Sequence, residues 1–228
     1  MADCKTDLSK QTNQRLLREI IMYIPDSLKM EPANSVEQFI QDYGFGVLVS
    51  ESLQATHLPC LYDSMVGEFG VLYSHMAKAN SHWKSLDGKD VMVIFSGPHS
   101  YISPTWYASG PAVPTWNYAA IHVYGQFELL SDDQTLQVVK DTVKKYEPEL
   151  LNNPQVMPED YQQKLSKAIV SFKVTISKID AKHKLGQQRK QEDQLGVRTA
   201  LQSSDNLEAM ALANYMLKFN VGVGSKAE

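Results

Sequence analysis

Apolar and polar side chains alternate along residues 119–130. Ile121, Val123, Phe127 and Leu129 fall on one face, with Gly125 among them, and His122, Tyr124, Gln126 and Glu128 fall on the other. Period two predicts a strand with one apolar face. The same period in Val170, Phe172, Val174 and Ile176 predicts another. FGVLVS at 45–50, residues 53–62 and residues 68–76 read as β-rich runs, and Gly67 suggests a hairpin between the last two. The continuous apolar run VMVIFSG at 91–97 predicts a buried strand.

Helical spacing takes over elsewhere. Ser35 and Gln38 are spaced as a capping box, for a helix ending near Tyr43-Gly44. Asn80 is placed to cap a short helix, SHWKSL. From Asp132 to Tyr146, Leu136, Val139, Val143 and Tyr146 form one stripe, and Pro148 stops the helix. Further helices are expected over 159–169 and 191–218. Residues 98–117, dense in Pro, Ser, Thr and aromatics, are expected to be loop-rich with short extended pieces. About six or seven clustered strands with peripheral helices predict an α+β barrel rather than a βαβ sheet.

Residues 1–21 are polar and mixed in charge, and predict a poorly ordered arm or a short helix. The compact domain is expected over 22–218, with a flexible tail at 219–228. The chain has 228 residues, 43% hydrophobic and 21% charged, which is ordinary globular composition and enough for a core without a metal or disulfide staple. The formal net charge is −4, so a nucleic-acid contact would need a local basic patch. Cys4 and Cys60 form no CxxC pair, which fits a cytoplasmic, reducing compartment. No apolar run reaches the ~18 residues of a membrane span. The N-terminus has no secretory apolar core.

Three stretches are rich in groups that bind or react. In SHMAKANSHW (74–83), Ser74, His75, Lys78, Asn80 and His82 lie just beyond a strand end. They offer a cation with hydroxyl and amide donors, a set suited to phosphate. A solvated loop with a helix cap at Asn80 explains the same residues. In GPHSYISPTWY (97–107) and VPTWNY (113–118), Tyr101, Trp106, Tyr107, Trp116 and Tyr118 stand among Ser103, Thr105, Thr115 and Asn117. Aromatics beside hydroxyls suit a planar conjugated ligand, and they suit a core corner or a subunit interface equally. KHKLGQQRK (182–190) is the most basic segment, with Lys182, Lys184, Arg189 and Lys190. A solvated face is the favoured reading there, and a phosphate arm or a small nucleic-acid patch the sharper ones. His57 alternates with apolar neighbours, as a structural histidine does. The histidines form no metal signature, and no GxSxG elbow, P-loop or GxGxxG is present.

In order along the chain, MYIP (22–25), ATHLP (55–59), SHMAKANSHW (74–83), GPHSYISPTWY (97–107) and VPTWNYAAIHVYG (113–125) resemble the PaiB family. KLGQQR (185–190), with Asp193 and Gly196-Val197, is similar to that family's C-terminal signature, although Gly186 and Gln188 stand where Ser and Asn are expected. The resemblance implies an antiparallel split β-barrel with peripheral helices, like that of pyridoxamine-phosphate oxidases. It implies a homodimer with FMN at the subunit interface and a role as a negative transcriptional regulator. By the same resemblance, Thr56, His57 and Leu58 lie beside the flavin. Ser74, His75, Lys78 and Asn80 face the phosphate and ribityl chain. Ser103, Trp106 and Tyr107, with Thr115, Trp116 and Asn117, line the interface side, and Arg189 reaches the site from the C-terminal segment. A DNA or protein partner would be met through the local basic patch. A flavin-dependent oxidoreductase acting on a small molecule is the competing function, with His57, His75 or Tyr107 as the available proton carriers.

Overall fold

The alternating segments pair into one antiparallel sheet in the order β2-β1-β5-β6-β7-β4-β3. The strands are β1 (Phe45–Ser50), β2 (Ala55–Pro59), β3 (Leu61–Asp63), β4 (Val71–Ala77), β5 (Asp90–Ile102), β6 (Thr115–Leu129) and β7 (Ile169–Lys184). The computed structural model describes residues 22–32 and 34–224. The arm expected at 1–21 lies outside them.

The two outermost strands, β2 and β3, are separated in the chain only by Cys60. That connection curls the sheet until its ends meet. The Ser74 hydroxyl on β4 donates to the Pro59 carbonyl on β2 at 2.6 Å, and the Cys60 amide donates to the Gly44 carbonyl at 2.7 Å. The inward faces of the central strands supply the core: Leu48, Leu72, Val93, Phe95, Ile121, Val123, Phe127, Phe172 and Val174 are all buried. Phe127 and Phe172 stack with centroids 4.4 Å apart.

The helices are α1 (Asn34–Asp42), α2 (Asp132–Tyr146), α3 (Glu159–Ser166), α4 (Gln191–Gln202) and α5 (Leu207–Phe219). α5 packs against β5 and buries Leu212, Ala213, Tyr215 and Met216. Inside that layer the buried His183 ring meets the Tyr215 hydroxyl at 2.5 Å, and burial pushes the His183 pKa down to about 4. After α5, Val223 is buried and the Gly224 amide donates to Gln194 Oε1 at 3.0 Å.

Several local expectations are corrected. Residues 98–117 are loop-rich over 103–114, as expected, but the extended piece before that loop is no separate strand: β5 continues through His99–Ile102, which pair with Thr115–Tyr118. A bulge between Ser96 and His99 admits Pro98, which has no N–H for the ladder. Residues 53–62 break into two strands at Cys60, and 191–218 breaks into two helices, the second capped by Asn206. α1 starts at Asn34, so Ser35 lies inside it, and the Gln38 side chain bonds to Asp42. α2 has the expected bounds, but its buried positions are Thr135 and Val138, and Tyr146 is exposed.

Gly125 sits at a second register shift, between Tyr124 and Gly125. A Cβ there would stand 2.3 Å from the Thr175 carbonyl oxygen and 2.8 Å from Val174 Cγ1. Gly125→Ala is therefore expected to cost about 1–3 kcal/mol, lowering the melting temperature by roughly 3–10 °C. A thermal melt followed by circular dichroism checks this, and an unchanged midpoint would contradict the packing described.

Candidate functional site

The sequence-predicted residues assemble into two groups. The first surrounds β2, the end of β4 and the short 3-10 helix Ser81–Ser85. β2 alternates as a strand must, so Leu58 enters the core while His57 is exposed. His57 stacks on Phe45, with centroids 6.2 Å apart, and is not the satisfied structural histidine its neighbours suggested. Thr56 is half-buried. Its Oγ1 lies 2.8 Å from His82 Nδ1 and accepts from Asn80 Nδ2 at 3.3 Å. The Asn80 Oδ1 caps the 3-10 helix by accepting from the His82 amide at 3.0 Å.

Ser74 is buried and its hydroxyl is committed to the Pro59 carbonyl. His75 and His82 are both held below the ordinary histidine pKa by burial, so both are neutral near pH 7. His75 Nδ1 and His82 Nε2 are buried with no hydrogen-bond partner among the described residues. Lys78 is exposed, and its backbone is anchored at both ends: its amide donates to Ala168 and its carbonyl accepts from Trp83 Nε1. No carboxylate among the described residues forms an ion pair with it. This group therefore has a cation and a hydroxyl at its surface, with neutral imidazoles behind them.

The second group lies around the β5–β6 ribbon and the turn after β7. Ser103 caps the 3-10 helix Pro104–Trp106 by accepting from the Thr105 amide. Trp106 packs against the core. Its carbonyl oxygen approaches Gly196 of α4 so closely that a Cβ would lie 2.1 Å away. Glycine at 196 is what allows that docking. The Arg189 guanidinium lies over the Tyr107 ring, 4.2 Å from its centroid. Asn117 is buried beside them, with Leu185 and Gly186. Gly186 has φ +77°, a conformation the turn needs. Asp193 is buried and accepts from the Ser109 amide at 2.9 Å and from its hydroxyl. Burial disfavours the Asp193 charge, but those hydrogen bonds, with Arg189 nearby, outweigh it and hold the carboxyl below its usual range. Thr115 Oγ1 accepts from Lys184 at 2.7 Å. The Trp116 ring is 48% exposed and meets His99 and Tyr101, an open aromatic patch on the ribbon.

No hydrogen bond, ring contact or ion pair among the described residues joins the first group to the second. The basic segment is not a free patch. Lys182 is buried, donates to the Tyr23 carbonyl at 2.8 Å and lies over the Tyr23 and Tyr118 rings. With Lys184 and Arg189 also engaged, Lys190 is the exposed cation of the set. A surface cleft of about 770 Å³ between the 24–37 segment, Tyr62–Phe69 and β7 is lined by none of the predicted residues. His82 and Asp193 stood in the quoted motifs, but nothing in the sequence marked their partners.

A family profile described as "Putative FMN-binding domain" matches residues 22–178. The "Protease synthase and sporulation protein PAI 2" of Bacillus subtilis (strain 168) is 35% identical over 203 residues, covering 86% of this chain and 96% of that protein. An uncharacterized protein of Emericella nidulans is 27% identical, covering 78% of this chain and 90% of its own length. Among solved structures, the FAD and heme binding protein from Mycobacterium smegmatis superposes with a TM-score of 0.51 at 11% identity, covering 68% of this chain and 73% of that one. The flavocytochrome Anf3 from Azotobacter vinelandii gives 0.50 at 13% identity, covering 71% and 72%. Those two likenesses concern the fold, and they agree with an antiparallel split barrel carrying peripheral helices. With a profile across more than half of the chain and a relative aligned over nearly all of both sequences, this chain belongs to the PaiB-type FMN-binding family.

Proposed function

We propose that the protein binds FMN as a homodimer and acts as a negative transcriptional regulator, with the flavin reporting redox or metabolic state. The observation that carries the reading is the family match over 22–178, which contains every predicted site residue except Arg189. The local chemistry fits an FMN molecule. Lys78 and the Thr56 hydroxyl offer a cation and a donor suited to a phosphate or a ribityl oxygen. His99, Tyr101 and Trp116 offer an open aromatic face of the kind a conjugated ring packs against. No bond or ring contact among the described residues joins the two groups within one chain; in this reading the first group of one protomer faces the second group of its partner. When bound, the flavin supplies the electron chemistry. This chain's residues bind it, orient it and keep neutral imidazoles behind it.

Regulation in this reading runs through a protein partner rather than through direct DNA contact by the 182–190 segment. Lys182, Lys184 and Arg189 spend their charge inside the fold, and the net charge is −4. The flavin-dependent oxidoreductase remains the second reading, favoured by the unpartnered Nδ1 of His75 close to the proposed phosphate cluster.

The wild-type protein is expected to quench FMN fluorescence on titration and to bind one flavin per chain. Lys78→Ala should weaken binding by roughly tenfold to a hundredfold, the cost of one charge-assisted hydrogen bond, with an unchanged far-ultraviolet spectrum. Absence of any binding by wild type would remove the cofactor from this reading. Trp116→Glu should shift the protein toward monomer in sedimentation equilibrium and lower flavin retention in parallel. A stable dimer that keeps its flavin would place the interface elsewhere. In gel shifts at low salt the isolated chain should leave duplex DNA unshifted in either flavin redox state, whereas salt-dependent binding would restore direct repression. Steady NAD(P)H oxidation by the flavin-loaded protein would favour the oxidoreductase.

A further inference from the structure

Thr56, Asn80 and His82 form a closed hydrogen-bonded set whose proton positions can be worked out. The Asn80 Oδ1 accepts from the His82 amide, so its Nδ2 is the end that points at Thr56 and donates to Oγ1. One lone pair of Oγ1 is thereby used. The remaining contact, Oγ1 to His82 Nδ1 at 2.8 Å, can run either way. If Nδ1 accepted, the Thr56 proton would point inward, and the hydrogen of the neutral ring would sit on Nε2. Nε2 is buried, with no acceptor among the described residues, and the His82 residue as a whole is 0% exposed. An orphaned buried N–H is rarer and costlier than an under-used acceptor. With the hydrogen on Nδ1, the orphan is only a bare ring nitrogen. His82 then donates to Oγ1, both lone pairs of Thr56 are occupied, and its own hydrogen has no partner in the set.

We propose that His82 is a positioning residue that, by donating from Nδ1, turns the Thr56 hydroxyl hydrogen outward as a donor to an acceptor atom of the bound ligand. The inference rests on the FMN reading for the ligand's identity, and on the Thr56–Asn80–His82 geometry for the direction of the proton. It makes the site selective for a group that accepts, such as a phosphate oxygen or a ring carbonyl. A ligand atom that can only donate would meet a hydroxyl with no lone pair left. Burial keeps His82 neutral near pH 7, so the arrangement persists across the physiological range.

Two measurements test this. The first uses the flavin-free protein. The ring-nitrogen shifts and proton couplings of a ¹⁵N-histidine-labelled sample distinguish the two neutral tautomers, and the Nδ1–H form is expected for His82. The Nε2–H form overturns the proposal, whether or not flavin binds. The second is a mutant cycle read by FMN titration. Thr56→Val should weaken binding about tenfold, the loss of one hydrogen bond. His82→Leu should do the same, and the double variant should be no worse than either. His82→Asn, whose amide N–H can stand in for Nδ1–H, should return to within about threefold of wild type. Losses that multiply in the double variant, or wild-type affinity in His82→Leu, overturn the positioning role. If His82→Leu does not fold, His82→Asn and the tautomer measurement still decide. If wild type binds no FMN, the cofactor reading fails by itself, and the tautomer then decides whether Thr56 points outward.

Discussion

One covalent constraint governs this molecule: a single residue, Cys60, joins the two edge strands of a seven-stranded sheet. A flat sheet would hold its outermost strands far apart. Here the chain between them is too short for that, so the sheet must curl and its ends must meet. The Ser74 hydroxyl closes the seam by donating to the Pro59 carbonyl, while the Cys60 amide extends the β1–β2 ladder to Gly44. The seam is also where the chemistry collects. Closure sets β2 beside β4, and so brings Thr56 to the turn that carries Lys78, Asn80 and His82. Cys60 is itself buried, and burial pushes its thiol up to about 12, which leaves it protonated near pH 7.

Much of the fold was legible because its strands are half-buried and therefore alternate. β1 and α2 fall on their expected bounds, and β6 and β7 contain the periodic cores that announced them. What the pattern missed has a consistent cause. Pro98 and the surrounding hydroxyls look like loop, yet the ladder resumes at His99 after a bulge, and a bulge leaves no periodic trace. Cys60 continues an apolar run and so hides the break between β2 and β3. In α2, the stripe read from the apolar residues missed Thr135, which is buried although it is polar. Helix stripes are set by the surface they meet, and a single sequence does not display that surface.

The site was legible in residue type and only partly in arrangement. Ser74 and Thr115 are hydrogen-bonded inside the fold, and Arg189 is stacked on Tyr107. Only geometry reveals such commitments. The basic segment is the clearest instance. Its charges are plain in the sequence, but Lys182 lies between aromatic rings with its ammonium on a backbone carbonyl. A cation counted on paper is not a cation offered to a partner.

The two groups differ in how much hydrogen-bonding capacity they leave unused, and that difference bears on their roles. In the second group Asp193 and Asn117 are buried, Arg189 is half-buried on the Tyr107 ring, and Asp193 is satisfied by Ser109. Such a set fixes backbone and holds the 103–107 loop against α4. Around Thr56 more capacity is left: an exposed ammonium with no carboxylate partner among the described residues, a hydroxyl that the proposed tautomer turns outward, and two imidazole nitrogens without partners among those residues. Buried polar groups left unsatisfied cost stability unless something else completes them. Two such imidazole nitrogens lie on β4 and the turn after it, at the seam the topology dictates, and that supports the binding site proposed there.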